Sequence, residues 1–200
     1  MKSALEGFSG VIVGVDEAGR GCLFGPVFAA AVIWNPACTH PLQEKIKDSK
    51  KLSKKMRMQL KEFIEQNAVA YAVGSCDHEV IDDVNILNAT HMAMHKALLG
   101  IQAPFDHILV DGNNFKPFTK PHTCVVGGDN EYIQIAAASI LAKTYHDLHI
   151  QELVATHPEL NVYGLEGHMG YGTKTHIDAI KLHGASPYHR KTFKPMRADD

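Results

Sequence analysis

The order of apolar and polar residues along the chain predicts short strands first and helices later. Short apolar runs predict five strands, at 11–15, 26–34, 69–76, 107–110 and 123–126. The glycine-rich segment between the first two predicts a hairpin-like turn. Apolar residues at helical spacing predict four helices, starting after Ser53, over 86–99, around 136–147, and between Thr173 and Gly184. Residues 157–172 predict a loop, and the whole pattern indicates an α/β fold around a mixed sheet.

Three of the predicted strands are followed by acidic residues. Asp16 and Glu17 follow the first strand, Asp111 follows the fourth, and Asp129 follows the fifth after two glycines. Because strand ends at one edge of a sheet can lie close together, we expect these carboxylates to converge. Converging carboxylates repel one another unless cations neutralise them, and oxygen ligands suit Mg²⁺ or Mn²⁺. Two such ions ~4 Å apart activate water and stabilise a leaving oxygen, so the pattern predicts a metal-dependent nuclease.

Each acid also has a purely structural interpretation. Asp111 precedes a glycine and is typical of a turn residue, while Asp129 precedes a predicted helix and is typical of an N-cap. Neighbouring strand residues point to opposite faces, so Asp16 and Glu17 face one site only if the strand ends or bends there. The glycines that follow them supply the freedom to bend.

A nucleotide-binding loop is an alternative use of the first turn. Gly19 and Gly21 follow a strand, as in a dinucleotide-binding turn, but the third glycine and the helix of that motif do not follow. The sequence also contains no P-loop lysine motif. Both nucleotide-binding interpretations are therefore rejected.

Composition narrows the class of protein further. The 200 residues are 45% hydrophobic and 21% charged with a formal net charge of -2, which fits one domain and excludes a globally basic nucleic-acid binder. The four cysteines lack metal-type or redox-type spacing, so we expect free thiols in a reducing compartment. The sequence shows no secretory signal and no run near the ~20 apolar residues of a membrane span, which favours a cytoplasmic protein.

Several longer motifs together resemble one nuclease family. In chain order they are DEAGRGCLFGPV (16–27), DSKKLS (48–53), IDDVNILNATHMAM (81–94), VDGN (110–113), GDNEYIQIAAASILAK (128–143), HMGYGTKTH (168–176) and HRKTF (189–193). They resemble the type 2 ribonuclease H family, ribonuclease HII. The resemblance implies a single ribonuclease H-like catalytic domain over 1–200, with a mixed five-stranded sheet flanked by helices. It also implies a helical, substrate-contacting C-terminal segment from about residue 160.

The resemblance implies a role for each matching residue. The metal-binding and catalytic positions would be Asp16, Glu17, Asp111 and Asp129. The backbone of the matching glycine–arginine–glycine motif would recognise the ribose 2′-hydroxyl, which distinguishes RNA from DNA. The implied substrate-binding residues are Gly19, Arg20, Gly21, Lys50, Lys143, Tyr171 and Arg190. Tyr171 would stack on the sugar beside the ribonucleotide, and the basic residues would approach phosphates.

The implied activity is that of a monomeric endoribonuclease with two Mg²⁺ or Mn²⁺ ions. It would cut RNA–DNA hybrids and nick DNA duplexes 5′ to an embedded ribonucleotide, leaving a 5′-phosphate and a 3′-hydroxyl. Such an activity serves ribonucleotide excision repair and RNA primer removal. The alternatives are another nuclease of the same fold, such as a Holliday-junction resolvase or type 3 ribonuclease H, and a hybrid-binding module without catalysis.

Five positions depart from the usual family pattern. Cys22 replaces a proline, Phe24 fills a place that is usually small, and Gly127, His146 and Met169 stand where basic residues are common. The last three replacements remove or weaken positive charge, so we expect weaker or more salt-sensitive binding than is usual in the family.

Overall fold

A mixed five-stranded sheet lies at the centre of the structure, a computed structural model that describes residues 1–47, 49 and 52–196. Its strands are β1 (Ile12–Ala18), β2 (Val27–Ile33), β3 (Ala70–Cys76), β4 (His107–Asp111) and β5 (His122–Val125). The strand order is β3-β2-β1-β4-β5. The β1–β2 and β2–β3 pairs are antiparallel, and the β1–β4 and β4–β5 pairs are parallel. The predicted mixed sheet and its five strands are confirmed.

Helices cover both faces of this sheet. They are α1 (Lys54–Asn67), α2 (His78–Val84), α3 (Ile86–Gly100), α4 (Ile133–Thr156), α5 (Leu165–His168) and α6 (Lys174–His183). Short 3-10 turns occupy Pro41–Lys45, Gly128–Asn130 and Pro158–Tyr163. The prediction of a loop over 157–172 was wrong in part, because a 3-10 turn and α5 form there. No helix in the described ranges is long and apolar enough to cross a membrane.

Strand β2 is buried along its whole length because helices pack on both of its faces. Ala29 and Ala31 join the cluster that contains α3, whereas Ala30 and Val32 join the cluster that contains α1 and α4. This division follows from the alternation of side chains along a strand. It also explains why the run reads as continuously apolar.

Close packing of α4 against β1 determines which residues meet at the edge of the sheet. A Cβ on Gly14 would lie only 2.3 Å from the carbonyl carbon of Gln134 and 2.5 Å from the amide nitrogen of Ile135. The backbone at the start of α4 therefore rests directly on the middle of β1. This contact places Ser139 of α4 close to Asp16 of β1, so that both line the same cavity.

The C-terminal segment forms a third apolar cluster with the loop at 19–26. Leu23 and Phe24 of the loop pack with Ile150, Leu160 and Ile180. Three backbone hydrogen bonds hold the two parts together: Leu23 N–H to Gly170 O (2.8 Å), Gly25 N–H to Tyr188 O (3.0 Å) and Arg190 N–H to Leu23 O (2.9 Å). The loop that follows β1 is therefore held from the far end of the chain.

Candidate active site

The four predicted acids line one cavity of about 240 Å³ at the carboxyl end of β1. Asp16 and Glu17 lie within β1, which extends to Ala18 and is longer than predicted. Asp111 is the last residue of β4, where Val15 pairs with Val110 on the adjacent parallel strand. Both strands therefore present their next residue to the same edge of the sheet.

Asp129 reaches the cavity from a separate turn. It lies in the 3-10 turn Gly128–Asn130, and the N-cap of α4 is Tyr132. The interpretation of Asp129 as the N-cap of that helix is therefore wrong. The side chain is buried, and its carboxylate accepts a hydrogen bond from Asn130 Nδ2 at 2.8 Å.

The surroundings of Asp16 disfavour the charged form of its carboxyl group. Burial, followed by the charges of Glu17 and Asp111, raises its pKa well above the usual value. A hydrogen bond with Ser139 and another from the Glu17 amide, at 2.7 Å, oppose this rise. Because the carboxylates raise the free energy of one another's charged forms, a cation placed among them would be stabilised.

The donor set suits a hard divalent cation, but the side chains are not gathered around one point. Asp111 Oδ1 is buried and has no hydrogen-bond partner within the described part of the chain, so it offers an acceptor that the fold does not use. Glu17 Oε1 accepts a hydrogen bond from Arg20 Nη1 at 3.2 Å. In residues 1–47, 49 and 52–196 no three acidic, histidine or cysteine side chains are grouped closely enough to hold an ion. Binding a metal there therefore requires the acidic side chains to rotate toward one another.

Gly19 and Gly21 line the same cavity, but the fold requires glycine at only one of these two positions. Gly19 has φ +88°, and a Cβ there would lie 2.6 Å from His146 Cδ2, so the fold itself requires glycine. A Cβ on Gly21 would meet only Tyr171 Cε1, at 4.0 Å. The fold does not require glycine at 21, and the missing side chain leaves space beside Tyr171.

Tyr171 and Lys143 line the same cavity as the acids and lie next to each other. Tyr171 is bridged to Cys22 by backbone pairing, which ties it to the loop after β1. Burial raises its pKa to about 12, so the phenol is neutral near pH 7. Lys143 Nζ lies 4.9 Å from the centroid of the Tyr171 ring and donates to Asp147 Oδ1 at 2.8 Å. Lys143 therefore adds positive charge to the cavity while Asp147 holds its position.

Two further residues, Arg190 and Lys50, were also predicted to contact the substrate. Arg190 is fully buried, and its guanidinium donates to the carbonyl oxygens of Gly25 (2.9 Å), Arg20 (3.0 Å) and Pro26 (3.1 Å). It does not face outward, which corrects the expectation of a direct duplex contact: its bonds are made to the loop after β1. Lys50 lies outside the described residues.

Ser49 is a cavity residue to which the sequence analysis assigned no role. It is buried, and its Oγ lies 3.0 Å from Ser139 Oγ, so the two hydroxyls form a pair beside Asp16. The only available sequence signal for Ser49 was its place in the DSKKLS motif, where a serine between charged residues reads as a surface position.

Three of the positions that depart from the family pattern contact one another. Cys22 Sγ lies 3.6 Å from His146 Nε2 and 3.4 Å from the carbonyl oxygen of Met169. Burial raises the pKa of the Cys22 thiol to about 12, so it remains protonated. Burial also lowers the pKa of His146. Cys22, His146 and Met169 are therefore all uncharged near pH 7, and they pack together at the loop that follows β1.

Solved structures with the same fold define the class of protein. The crystal structure of ribonuclease H2 from Pyrococcus horikoshii OT3 superposes with a TM-score of 0.74 at 24% identity, covering 93% of this chain and 95% of that one. The PCNA:RNase HII complex from Archaeoglobus fulgidus gives 0.75 at 23% identity, with coverages of 94% and 98%. Bst-RNase HIII in complex with Mn²⁺ gives 0.72 at 18% identity, with coverages of 94% and 68%. The fold is therefore the one shared by type 2 and type 3 ribonucleases H.

Sequence comparison assigns the family within that class. Ribonuclease HII of Parabacteroides distasonis is 50% identical over 181 residues, covering 90% of this chain and 88% of its own. The Cytophaga hutchinsonii protein of the same name is 48% identical over 190 residues, covering 93% and 91%. The ribonuclease HII family model matches residues 13–196, and the chain belongs to that family. It is accordingly an endonuclease of the hydrolase class with ribonuclease H activity.

Proposed function

We propose that this enzyme cuts the RNA strand of RNA–DNA hybrids and nicks DNA duplexes on the 5′ side of an embedded ribonucleotide. The products are a 5′-phosphate on the ribonucleotide and a 3′-hydroxyl upstream. One observation carries the proposal: Gly21, which the fold does not require to be glycine, lines the same cavity as all four acids and Tyr171. A backbone without a side chain can approach a ribose closely, so recognition and cleavage share one cavity.

The metal-binding residues in this proposal are Asp16, Glu17, Asp111 and Asp129. Bound there, Mg²⁺ or Mn²⁺ ions would supply charge neutralisation and an activated water for attack on the phosphate. The raised pKa of Asp16 supports such a site, as does Oδ1 of Asp111, which has no hydrogen-bond partner among the residues that the structure describes. The hydrogen bond from Arg20 uses only Oε1 of Glu17, so the carboxylate can bind a cation while the guanidinium stays at the edge of the cavity.

The remaining cavity residues bind and orient the substrate. The backbone of Gly19, Arg20 and Gly21 hydrogen-bonds the ribose 2′-hydroxyl, and the Tyr171 ring packs on the neighbouring sugar. Lys143 attracts a phosphate, and its contact with the Tyr171 ring keeps both groups on one wall. Lysine contacts to phosphate give affinity that depends on salt but not on sequence.

The wider role follows from this substrate choice. An enzyme that cuts beside single ribonucleotides serves ribonucleotide excision repair, and one that cuts hybrids serves RNA primer removal. We propose that it acts in the cytoplasm as a monomer. The two main alternatives are a nuclease of this fold with another substrate and a binding module without catalysis. The second is less well supported, because four clustered acids raise the energy of the fold unless a cation binds.

The test uses a labelled DNA duplex with one ribonucleotide and an all-DNA duplex of the same sequence. Each is incubated with Mg²⁺, Mn²⁺ or a chelator, and with wild-type protein or Asp16→Asn. We expect a metal-dependent nick 5′ to the ribonucleotide that is lost with the chelator, with the all-DNA duplex and with the variant. Cleavage of the all-DNA duplex would favour another nuclease activity, and binding without any cleavage would favour the binding module.

A further inference from the structure

Two histidines of the C-terminal segment, His176 on α6 and His189, form a hydrogen-bonded pair inside the protein. Both are fully buried, and their Nε2 atoms lie 3.1 Å apart. His176 Nδ1 lies 3.0 Å from the carbonyl oxygen of Tyr171, and His189 Nδ1 lies 2.9 Å from the amide nitrogen of Ser186. All four ring nitrogens of the pair therefore have a partner.

The two outer contacts determine which ring nitrogens carry hydrogen. A backbone amide only donates and a carbonyl oxygen only accepts, so Nδ1 of His189 is bare and Nδ1 of His176 carries hydrogen. Because a neutral imidazole has a single N–H, His189 carries its hydrogen on Nε2 and His176 has a bare Nε2. The central contact is then a bond from His189 to His176, and the hydrogen bonds run in one direction from Ser186 to Tyr171.

This arrangement requires both rings to be neutral, and their surroundings keep them so. Burial lowers the pKa of His176, and burial followed by His176 lowers the pKa of His189 to about 4. His168 stacks on His176 with ring centroids 4.5 Å apart, and the Tyr163 ring packs edge-on against His189 at 4.8 Å. His78 on α2 also disfavours charge on His189. None of these three neighbours is negative near pH 7, so none of them favours protonation of the pair.

The pair connects the loop at 19–26 with Tyr171. The backbone of His189 bridges to that of Phe24 in the loop, and the two rings pack edge-on with centroids 5.1 Å apart. At the other end, the Tyr171 oxygen accepts from His176 and also from the Thr173 amide, at 2.8 Å. The backbone position of Tyr171 is therefore set in part by a side chain that is itself oriented from the loop.

Packing alone does not account for two histidines in these places. Apolar side chains would fill the same space without polar atoms that need partners. Two buried imidazoles are favourable only while every ring nitrogen keeps its bond, so the chain accepts one position of the Tyr171 carbonyl and disfavours others. The pair thus fixes the geometry of Tyr171 more narrowly than apolar contacts would.

We propose that His176 and His189 are positioning residues for cleavage, which hold the Tyr171 ring where it packs on the sugar beside the ribonucleotide. The inference rests on the proposed function, which gives Tyr171 that role. Neither histidine lines the active-site cavity, so both act through the backbone of Tyr171 and not on the substrate itself.

The first test is the position of hydrogen on each ring, which nitrogen-15 NMR of histidine-labelled protein measures at pH 7. We expect hydrogen on Nδ1 of His176 and on Nε2 of His189, so that the two rings are opposite tautomers. Spectra of His176→Asn and His189→Gln assign the signals. The same tautomer in both rings, or a charged ring, would overturn the proposal.

The second test is a double-mutant cycle between His176 and Tyr171, measured as kcat/KM on the one-ribonucleotide duplex. Loss of the bond to Tyr171 O should lower kcat/KM by about three- to tenfold in His176→Leu, in line with the net contribution of one hydrogen bond. The same change in a Tyr171→Ala background should have little further effect on kcat/KM, because the ring that it positions is gone. The fall in Tm should be similar in both backgrounds, since residue 171 keeps its carbonyl oxygen.

Conservative and control variants separate positioning from stability. His176→Asn keeps a side-chain donor in the place of Nδ1 and should recover part of the activity, but only when Tyr171 is present. The matched control is His107→Leu, which removes a half-buried imidazole and its 2.9 Å contact with Thr123 Oγ1 at the opposite end of β4 from Asp111. It should leave kcat/KM unchanged at temperatures well below its Tm.

An equal loss of kcat/KM from His176→Leu in both Tyr171 backgrounds would overturn the proposal, because it would assign the pair to stability alone. Such a result in an enzyme that cuts the duplex leaves the proposed function intact. Failure of the wild-type protein to cut the one-ribonucleotide duplex would instead refute the proposed function, and the role of the pair with it.

Discussion

Arg190 offers a sharp test of how the recognition loop is held, because each of its three guanidinium nitrogens donates a hydrogen bond inside the protein. Its three hydrogen bonds to the carbonyl oxygens of Arg20, Gly25 and Pro26 span 2.9–3.1 Å. Arg190→Met keeps the apolar stem and removes all three donors. Two of the three bonds are fully buried, so water does not readily replace them.

The magnitude follows from these contacts. A hydrogen bond to a charged group contributes about 1.5–3 kcal/mol, so three give a gross loss of about 5–9 kcal/mol. Desolvation of the guanidinium offsets part of this sum, and a net destabilisation of about 3–5 kcal/mol is expected. In a chain of this size that corresponds to a fall in Tm of about 6–20 °C.

The assay combines thermal unfolding with cleavage of two substrates, the one-ribonucleotide duplex and a continuous RNA–DNA hybrid. We expect Arg190→Met to lower Tm and to lower kcat/KM more on the one-ribonucleotide duplex, where a single ribose must be recognised. Arg190→Lys keeps the charge but not the forked donor geometry, so it should recover only part of both losses. Lys181→Met, at an exposed position of α6, is the control and should change stability by less than about 0.5 kcal/mol. Wild-type Tm and activity in Arg190→Met would refute the reasoning.

Three further predictions concern metal, pH and salt. Saturating Mn²⁺ at about 100 times its Kd should stabilise the protein by about 2.7 kcal/mol in thermal unfolding, and Asp111→Asn should reduce that shift; an equal shift in both proteins would contradict the metal assignment. Burial, and then His176, lowers the pKa of His189 from 6.5 to about 4. The unfolded state thus binds the extra proton in that interval, and stability should fall by up to about 3 kcal/mol as pH drops from 6.5 to 4. Urea denaturation across this range measures the fall, and an unchanged slope in His189→Gln would exclude His189 as its source. Gly127→Lys should tighten hybrid binding and steepen its salt dependence by about one ion in a binding titration. Residue 127 has φ +69°, so the lysine strains the backbone although its Cβ meets no atom within 4 Å, and a loss of affinity at unchanged Tm would place residue 127 away from the duplex.

Much of the fold could be predicted because its strands are short apolar runs. The residues at which the strands and helices begin and end were harder to predict. β1 continues through Asp16 and Glu17 because their backbones pair with Ala30 and Ala29 of β2, although the apolar run in the sequence ends before Asp16. α4 is longer than predicted because its N-terminal half is buried on almost all sides and lacks an amphipathic period. α2 was not predicted, since only Ile81 among its residues is fully buried.

The candidate site was predictable where its residues follow strands and unpredictable where distant segments supply the geometry. The four acids were found from their place after predicted strands, and the structure brings them to one cavity. The position of Tyr171 against the loop depends on pairing between residues about 150 apart, which no local pattern shows. The buried Arg190 was missed as a structural residue because arginine is almost always exposed.

The contact between Cys22, His146 and Met169 constrains the order in which this sequence can change during evolution. A proline at 22 lacks an amide hydrogen, so it would remove the bond from the Cys22 amide to Gly19 O as well as the thiol contact with His146. A long basic side chain at 146 would in turn need the space beside Gly19 that the imidazole now fills. A family-typical residue at either 22 or 146 thus disturbs a contact that the other position now makes. In ancestral or consensus reconstructions of this enzyme, we therefore expect positions 22 and 146 to keep stability best when they are exchanged together.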